Sequence, residues 1–230
     1  MKHWTGAAII ALCAAVLAAG LWRTGSRQEA RTVAAMPQTG YILIDPGHGG
    51  LDSGAVASDG TKEKTLNLAI ALDLRDVLTV LGFPVRMTRA DDRDLGDADA
   101  STIRAKKISD MNNRLALYQN AALVLSIHQN TFGQSIYSGA QVFYGPQNPA
   151  SKPLADAVQQ CLRDMLEPDN HRLPKRAGGD IFLLYNTTVP AVIVECGFLS
   201  NPPELAKLKT PDYQRALAFA VTRGVLEQAE

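Results

Sequence analysis

The chain has 230 residues, with 23 Lys and Arg side chains against 23 Asp and Glu, and 46% of its residues are hydrophobic. This composition predicts a packed globular body and excludes a chain that is intrinsically disordered throughout. Because the formal net charge is zero, the protein has no general attraction to nucleic acid, and we expect no nucleic-acid partner. Three cysteines are too few for a disulfide framework, and their spacing matches no zinc finger.

Residues 1–22 are predicted to be a membrane anchor or a signal segment. Residues 6–22 (GAAIIALCAAVLAAGLW) form an uncharged apolar run that is slightly short for a bilayer span, which normally takes about 20 residues. The small-residue sequence Val16-Leu17-Ala18 lies inside the run rather than after it, which favours a retained anchor over a cleaved signal peptide. One lysine precedes the run and three arginines follow it closely, so the flanking charges do not favour export.

Residues 23–39 (RTGSRQEARTVAAMPQT) show neither helical nor strand periodicity and are predicted to be a linker. The remaining residues, 40–230, form the predicted folded domain. They carry 19 basic and 22 acidic side chains, so this domain is mildly acidic.

From Tyr41 onwards, short apolar runs alternate with longer segments of helical periodicity, which predicts a single α/β domain. We expect a six-stranded, largely parallel twisted sheet flanked by helices on both faces. The predicted strands are 41–44, 85–88, 123–127, 140–144, 181–184 and 191–194. The predicted helices are 62–81, which ends at Gly82, then 101–119, 152–166, and a last helix that Thr210 caps and Pro211 begins.

Polar residues cluster directly after three of the predicted strands. They are Asp45 to Gly50 after the first strand, His128 to Asn130 after the third, and Glu195 to Gly197 at the end of the last. In open α/β sheets, ligands bind beyond the carboxyl ends of the strands, so these residues are expected to meet at one edge. Glu63, at the start of the first long helix, is close enough in sequence to fold back towards His48.

Two imidazoles and one carboxylate with an open fourth position are the ligand set of a catalytic Zn²⁺. The sequence therefore suggests His48, Glu63 and His128 as metal ligands. Asp45 is a candidate acceptor for the free N–H of a ligand imidazole. Glu195 is a candidate general base that transfers a proton from water to a leaving amine.

Each of these residues also has a purely structural interpretation. A lone histidine after a strand is more often a packing residue than a ligand, and Glu63 taken alone could be a surface residue of a helix. Glu195 is harder to explain structurally, because it follows an apolar strand and a charge there needs a partner. We expect Cys196 to be a buried thiol rather than a nucleophile. His171 is expected to be solvated, and Arg89 to be an ion-pair partner.

Six ordered blocks carry a family resemblance: LIDPGHGGLDSGA, EKTLNL, MTR, LSIHQN, SGAQVFY and VPAVIVECGFLSN. Together they resemble the zinc-dependent N-acetylmuramoyl-L-alanine amidases (amidase type 3 family) of bacterial cell-wall metabolism, from about Tyr41 to the C-terminus. The resemblance implies that residues 40–230 are a catalytic amidase domain with one Zn²⁺, held by His48, Glu63 and His128, and that Glu195 is catalytic. It also implies hydrolysis of the amide between N-acetylmuramic acid and L-alanine, with peptidoglycan as substrate.

Two features distinguish this sequence within the family. Only eight residues separate Asn130 from Gly139, which leaves no space for the blocking helix of the division-associated members. Residues 91–113 form a longer connection than usual, similar to the germination-specific branch, which trims spore cortex so that muramic-δ-lactam can form. This resemblance implies a role in sporulation, with an accessory protein as a further candidate partner.

Because peptidoglycan lies outside the cytoplasmic membrane, we expect the domain to be extracytoplasmic. It would be membrane-anchored through the N-terminal segment, or secreted if that segment is cleaved, and a sporulation role would place it in the forespore intermembrane space. Two other functions stay open from the residues alone. One is a zinc peptidase that cuts within stem peptides, and the other is an inactive module that only binds peptidoglycan.

Overall fold

The computed structural model describes residues 40–228, and its centre is a six-stranded β-sheet. The strands are β1 (Ile42–Pro46), β2 (Val85–Met87), β3 (Leu123–Asn130), β4 (Gln141–Tyr144), β5 (Lys175–Arg176) and β6 (Ala191–Phe198). Their order in the sheet is β2-β1-β3-β6-β4-β5. The four strands β2, β1, β3 and β6 run parallel, whereas β4 is antiparallel to β6 and β5 is parallel to β4.

Six helices lie within residues 40–228. They are α1 (Glu63–Val80), α2 (Ile103–Tyr118), α3 (Ser151–Leu166), α4 (Phe182–Asn186), α5 (Pro202–Leu208) and α6 (Pro211–Gln228). Capping residues define several of their ends: the Thr102 hydroxyl accepts from the backbone N–H of Ala105 at the start of α2, and Thr210 does the same for Tyr213 in α6. The predicted α/β domain with helices on both faces of the sheet is confirmed.

Alternation along the strands builds two apolar layers, one on each face of the sheet. In β1, Ile42 and Ile44 join the layer formed with α1, α3 and α6, whereas Leu43 faces the opposite layer with Tyr118 of α2. In β6, Val192 and Val194 face the first layer and Ile193 the second. Because both faces are covered by helices, the central parallel strands are apolar almost throughout.

The parallel strands bring their carboxyl ends to one edge of the sheet. β1 pairs with β3 so that Pro46 lies beside Ile127, and β3 pairs with β6 so that His128 lies beside Glu195. The strands extend further than predicted, since β3 ends at Asn130 and β6 at Phe198. His128 and Glu195 therefore lie within strands rather than after them, which fixes their positions more firmly than a loop would.

One predicted strand is wrong. Ile181 is the residue before helix α4 and residues 182–184 are its start, where Leu183 and Leu184 pack in the second apolar layer. A short apolar run fits a buried helix as well as a strand, and periodicity alone cannot separate the two. The fifth strand is instead Lys175–Arg176, an exposed pair of basic residues with no apolar pattern to reveal it.

The anchor or signal segment predicted for residues 1–22 and the linker predicted for residues 23–39 lie outside the described residues. Among the described helices, from α1 to α6, none combines the length and the apolar character that crossing a membrane requires.

Candidate metal centre and active site

The structure brings together three residues that are distant in sequence: His48 follows β1, Glu63 is the first residue of α1, and His128 lies in β3. One ligand atom from each lies within 4.8 Å of the others. Glu63 bridges the two imidazoles, with Oε2 3.2 Å from His48 Nε2 and Oε1 3.0 Å from His128 Nδ1. These are the residues that the sequence suggested as metal ligands, and their nitrogen and oxygen atoms converge on one small region.

The loop that carries His48, residues 46–54, is called the metal loop below. Its path depends on two glycines that lie against the candidate ligands. A Cβ on Gly47 would be 2.2 Å from the His128 ring, and a Cβ on Gly54 would be 2.5 Å from Glu63 Oε2. Gly54 has φ +64°, and His48 itself adopts φ 62°, an uncommon value for a residue with a side chain. The metal loop is therefore shaped to approach the ligands closely.

Glu63 is buried and surrounded by donors. Its Oε2 accepts the backbone N–H of Ala55 at 2.9 Å, and its Oε1 accepts that of Gln129 at 3.1 Å and the side-chain amide of Asn67 at 3.2 Å. Burial alone would raise the pKa of Glu63, but the two imidazoles outweigh it and hold this pKa well below its ordinary range. Glu63 is therefore ionised at neutral pH, as a metal ligand must be.

Asp52 orients the imidazole of His48. Its Oδ2 lies 2.9 Å from His48 Nδ1, which leaves Nε2 directed at Glu63. Burial alone would lower the pKa of His48, but hydrogen bonds to Asp52 and Glu63 raise it to about 9. A cation bound by these atoms must displace that proton, so metal binding should weaken as the pH falls. Asp52 was not among the predicted site residues, although it stands four residues after His48 in the same motif.

The role predicted for Asp45 is wrong, because no imidazole of the site bonds to it. Its carboxylate is fully buried and accepts hydrogen bonds from Arg114, Thr88, Tyr118 and Ser126. Burial alone would raise its pKa, but the Arg114 guanidinium and the hydroxyl donors outweigh it and lower the pKa to about 2. These donors lie 43 to 81 residues away in sequence, so no local pattern could have revealed them.

The ion pair predicted for Arg89 is also wrong. This side chain is buried, and its hydrogen bonds go to backbone carbonyls of Pro46, Gly47, Lys64 and Asp91 at 2.9–3.0 Å. Arg114 donates to the carbonyl of His48 at 2.8 Å and to that of Pro46 at 3.1 Å. Two buried guanidinium groups therefore hold the backbone of the metal loop.

Glu195 lies beside the three candidate ligands. It pairs with His128 across β3 and β6, so both side chains are on the same face of the sheet. Its Oε2 is buried, and no hydrogen-bond partner reaches it among the described residues. Burial raises the pKa of Glu195 to about 7; the charge of Glu63 adds to this rise, and the imidazoles of His128 and His48 oppose it. A carboxyl group with a pKa near neutrality can both accept and release a proton.

The remaining candidates behave as the sequence suggested. Cys196 is fully buried, and burial raises the pKa of its thiol well above the ordinary value, so it is not an activated nucleophile. His171 is exposed and stands in a loop after α3.

The chain matches the family model described as N-acetylmuramoyl-L-alanine amidase over residues 42–227. The chain therefore belongs to the N-acetylmuramoyl-L-alanine amidase family, and it is an enzyme with peptidoglycan amidase activity. The germination-specific N-acetylmuramoyl-L-alanine amidase of Bacillus subtilis is 38% identical over 194 residues, which cover 83% of this chain and 81% of the relative. Amidase AmiA of Escherichia coli is 28% identical, and the match covers 80% of this chain and 74% of AmiA.

Solved structures show the same fold. The CwlD amidase of Clostridioides difficile, solved in complex with the GerS lipoprotein, has a TM-score of 0.79 and 39% identity. The match covers 83% of this chain and 98% of that chain. The catalytic domain of CwlV from Bacillus (Paenibacillus) polymyxa has a TM-score of 0.67 and 30% identity, and the match covers 82% of this chain and 97% of that domain.

Proposed function

We propose that this enzyme cleaves the amide between N-acetylmuramic acid and L-alanine with one Zn²⁺ per chain, held by His48, Glu63 and His128, and with Glu195 as the proton carrier. The observation that supports this most directly is the convergence of the three candidate ligand atoms within 4.8 Å, with Glu195 beside His128 on the neighbouring strand. Peptidoglycan hydrolysis itself follows from the family; the metal and the residue roles are the proposal.

The residues present fit a zinc ion. Two imidazole nitrogens and one carboxylate are a ligand set that catalytic zinc sites use, and they leave a fourth position open for water or substrate. Glu63 is ionised, and Asp52 fixes the ring orientation of His48, as the outer partners of metal-binding histidines do. The Oε2 of Glu195 is buried and has no hydrogen-bond partner within residues 40–228, so it supplies an acceptor at the same site.

The chain's own residues supply the proton transfers. When bound, Zn²⁺ supplies Lewis-acid chemistry that polarises the amide carbonyl and activates water. Glu195, ionised, accepts the proton of the attacking water and then releases it to the amine of L-alanine as the carbon–nitrogen bond breaks. A pKa of about 7 suits both steps, because the carboxylate and the acid are then close in free energy at neutral pH.

A product assay tests the proposal. The purified 230-residue chain would be incubated with peptidoglycan with and without chelator, and the released ends identified by mass spectrometry. We expect L-alanine amino termini beside intact muramic acid, and loss of release when the metal is removed. Cuts within the stem peptide would support a zinc peptidase instead, and no release at all would support a binding module.

Two variants separate the residue roles. Glu195→Gln should keep stoichiometric zinc but lose turnover by about 10²- to 10⁴-fold, because the proton carrier is gone. His128→Ala should lose zinc, because one of three ligands is removed. Elemental analysis of both proteins distinguishes these results. A Glu195→Gln enzyme with normal turnover, or a His128→Ala protein with stoichiometric zinc, would remove that residue from its role.

We further propose that the enzyme acts on spore cortex, where removal of the stem peptide from muramic acid allows muramic-δ-lactam to form. Support comes from the 38% identity with a relative named as germination-specific. The proposal includes an extracytoplasmic domain, attached through residues 1–22 or secreted, in the forespore intermembrane space, and an accessory protein, since CwlD was solved with the GerS lipoprotein. Cortex from a strain that lacks the enzyme should contain no muramic-δ-lactam, and normal lactam content there would contradict the sporulation role.

A further inference from the structure

A second loop borders the active site and exposes apolar side chains. Residues 131–139, called the aromatic loop here, connect β3 to β4 and cross the end of β6. Phe132 is 56% exposed, Tyr137 37% and Ile136 76%. Contiguous exposed apolar side chains beside a catalytic site often mark a ligand-binding surface.

The two exposed rings of this loop pack together and rest on a ring of the sheet, Phe198, which is itself buried. Phe132 and Tyr137 meet edge to face with centroids 4.7 Å apart, and Tyr137 stacks against Phe198 of β6 at 6.3 Å. Phe198 lies three residues after Glu195, and its register partner Asn130 lies two residues after His128. At about 3.3 Å per strand residue, the backbone of Phe198 lies roughly 10 Å along β6 from that of Glu195, so the loop that rests on Phe198 is at the same edge of the sheet as Glu195.

Polar contacts beneath the aromatic loop fix its backbone. The Asn201 side-chain amide donates to the carbonyls of Ser135 at 3.0 Å and Tyr137 at 3.2 Å. The Glu204 carboxylate accepts from the backbone N–H groups of Gly139 and Phe198, both at 2.8 Å. The loop therefore presents its rings to solvent from a preorganised backbone, rather than folding them into the core.

The two flanks of the active site differ in chemistry. On the side of β1 and β2, a cleft of about 210 Å³ is lined by two aliphatic side chains, Leu51 and Ile103, and by charged side chains of both signs, Asp52, Asp94, Lys106, Lys107 and Asp110. On the side of β6 and β4 lies the aromatic loop. The scissile amide joins a sugar to a peptide with ionised groups. The peptide therefore matches the flank with charged side chains, and the sugar matches the aromatic flank.

We propose that Phe132 and Tyr137 form a subsite that binds the glycan strand of peptidoglycan by stacking against its sugar rings. The inference rests on the proposed cleavage of the muramoyl amide, because it assigns the sugar side of that bond to the aromatic flank. A pyranose ring has an apolar face of C–H groups, and a flat aromatic side chain can cover that face with little loss of conformational entropy. The polymeric substrate extends beyond the scissile bond, so a surface at the same edge of the sheet can contact it.

The test compares Phe132→Leu, which keeps an apolar side chain but removes the flat ring, with Phe132→Trp, which keeps a ring. The matched control is Phe219→Leu, since Phe219 is 53% exposed on α6, away from the site. For each variant of the full chain, kcat/KM would be measured on polymeric peptidoglycan and on a muramoyl peptide with one sugar. The ratio of the two values isolates contacts with the extended glycan.

We expect Phe132→Leu to lower that ratio about tenfold, mainly through KM, and Phe132→Trp and Phe219→Leu to leave it near the starting value. Binding to peptide-free glycan strands, measured in the inactive Glu195→Gln background, should weaken by a similar factor with Phe132→Leu. An unchanged ratio of the two kcat/KM values for Phe132→Leu, including the case in which both values fall equally, would overturn the subsite. So would a leucine variant that binds glycan normally but loses response to an accessory protein, since the surface would then be a protein interface.

Failure of the proposed function would look different. If the unmodified chain released no L-alanine termini from either substrate, the muramoyl cleavage would be refuted whatever Phe132 does. Weaker binding of peptide-free glycan by Phe132→Leu would still support the subsite in that case, and unchanged binding would overturn it as well.

Discussion

The two loops that border the active site are built in opposite ways. In the metal loop, backbone carbonyls of Pro46, Gly47 and His48 accept hydrogen bonds from the buried side chains of Arg89 and Arg114. The aromatic loop, which exposes its side chains, is held by amide and hydroxyl groups, by one carboxylate and by the partly exposed guanidinium of Arg172. The backbone of the metal loop is therefore fixed by buried charged groups that position its candidate ligand His48, whereas the aromatic loop is fixed by groups nearer the surface and presents its side chains to solvent.

Burying a cation costs free energy, which explains why buried guanidinium groups hold the backbone of the metal loop but not that of the aromatic loop. A buried guanidinium group loses its hydration, which only well-placed acceptors can offset. Arg114 has Asp45 and Asp110 as charged partners in addition to the carbonyls, and Arg89 has four carbonyls. A side chain that would bind a metal must be positioned within a fraction of an ångström, which requires a rigid backbone. A surface that contacts a polymer does not require such precision.

The largest expected effect comes from Arg114→Met. This change leaves Asp45 buried without its cation and frees two carbonyls of the metal loop, so we expect the free energy of unfolding to fall by about 3–5 kcal/mol. Urea denaturation followed by circular dichroism measures it. The matched arginine of the other loop is Arg172, which donates to Ser138 at 2.8 Å and lies 4.8 Å from the Phe198 ring centre.

Arg172→Met should cost only about 1 kcal/mol, because Arg172 is partly exposed and water can replace its hydrogen bonds. Similar losses of unfolding free energy for the two variants would show that the two loops do not differ in how they are held. A loss for Arg114→Met below about 1 kcal/mol would show that the metal loop does not depend on its buried cations.

The sequence predicted which residues come together at the site, but it did not predict the hydrogen-bond partners of the residues around them. His48, His128 and Glu195 could be found because parallel strands bring their carboxyl ends to one edge, so polar residues near those ends must meet. Asp45 and Arg89 were given wrong partners, because those partners come from distant elements whose packing no local pattern describes. The same limit applies to the fold: the apolar run at 181–184 fits two kinds of element, and only its packing in the second apolar layer, next to α2, decides between them.

Gly47→Ala should have the next largest effect. The added Cβ would lie 2.2 Å from the His128 ring, so the ring must move out of its position beside Glu63. We expect the dissociation constant for zinc to rise about tenfold to a hundredfold and the unfolding free energy to fall by about 1–3 kcal/mol. Competition with a chromophoric zinc chelator and thermal denaturation measure the two quantities. Zinc affinity equal to that of the unmodified protein would show that the close approach of Gly47 is not required.

Gly133→Ala, in the aromatic loop, should have the smallest effect. A Cβ at this position meets nothing within 4 Å, and Gly133 does not adopt a positive φ. The substitution therefore removes no contact and introduces no strain, and we expect the unfolding free energy to stay within about 0.5 kcal/mol of its starting value. Zinc affinity, measured as for Gly47→Ala, should not change either. A fall in zinc affinity would mean that the backbone of the aromatic loop is coupled to the metal ligands through β3, and the two loops would then have to be treated as a single unit.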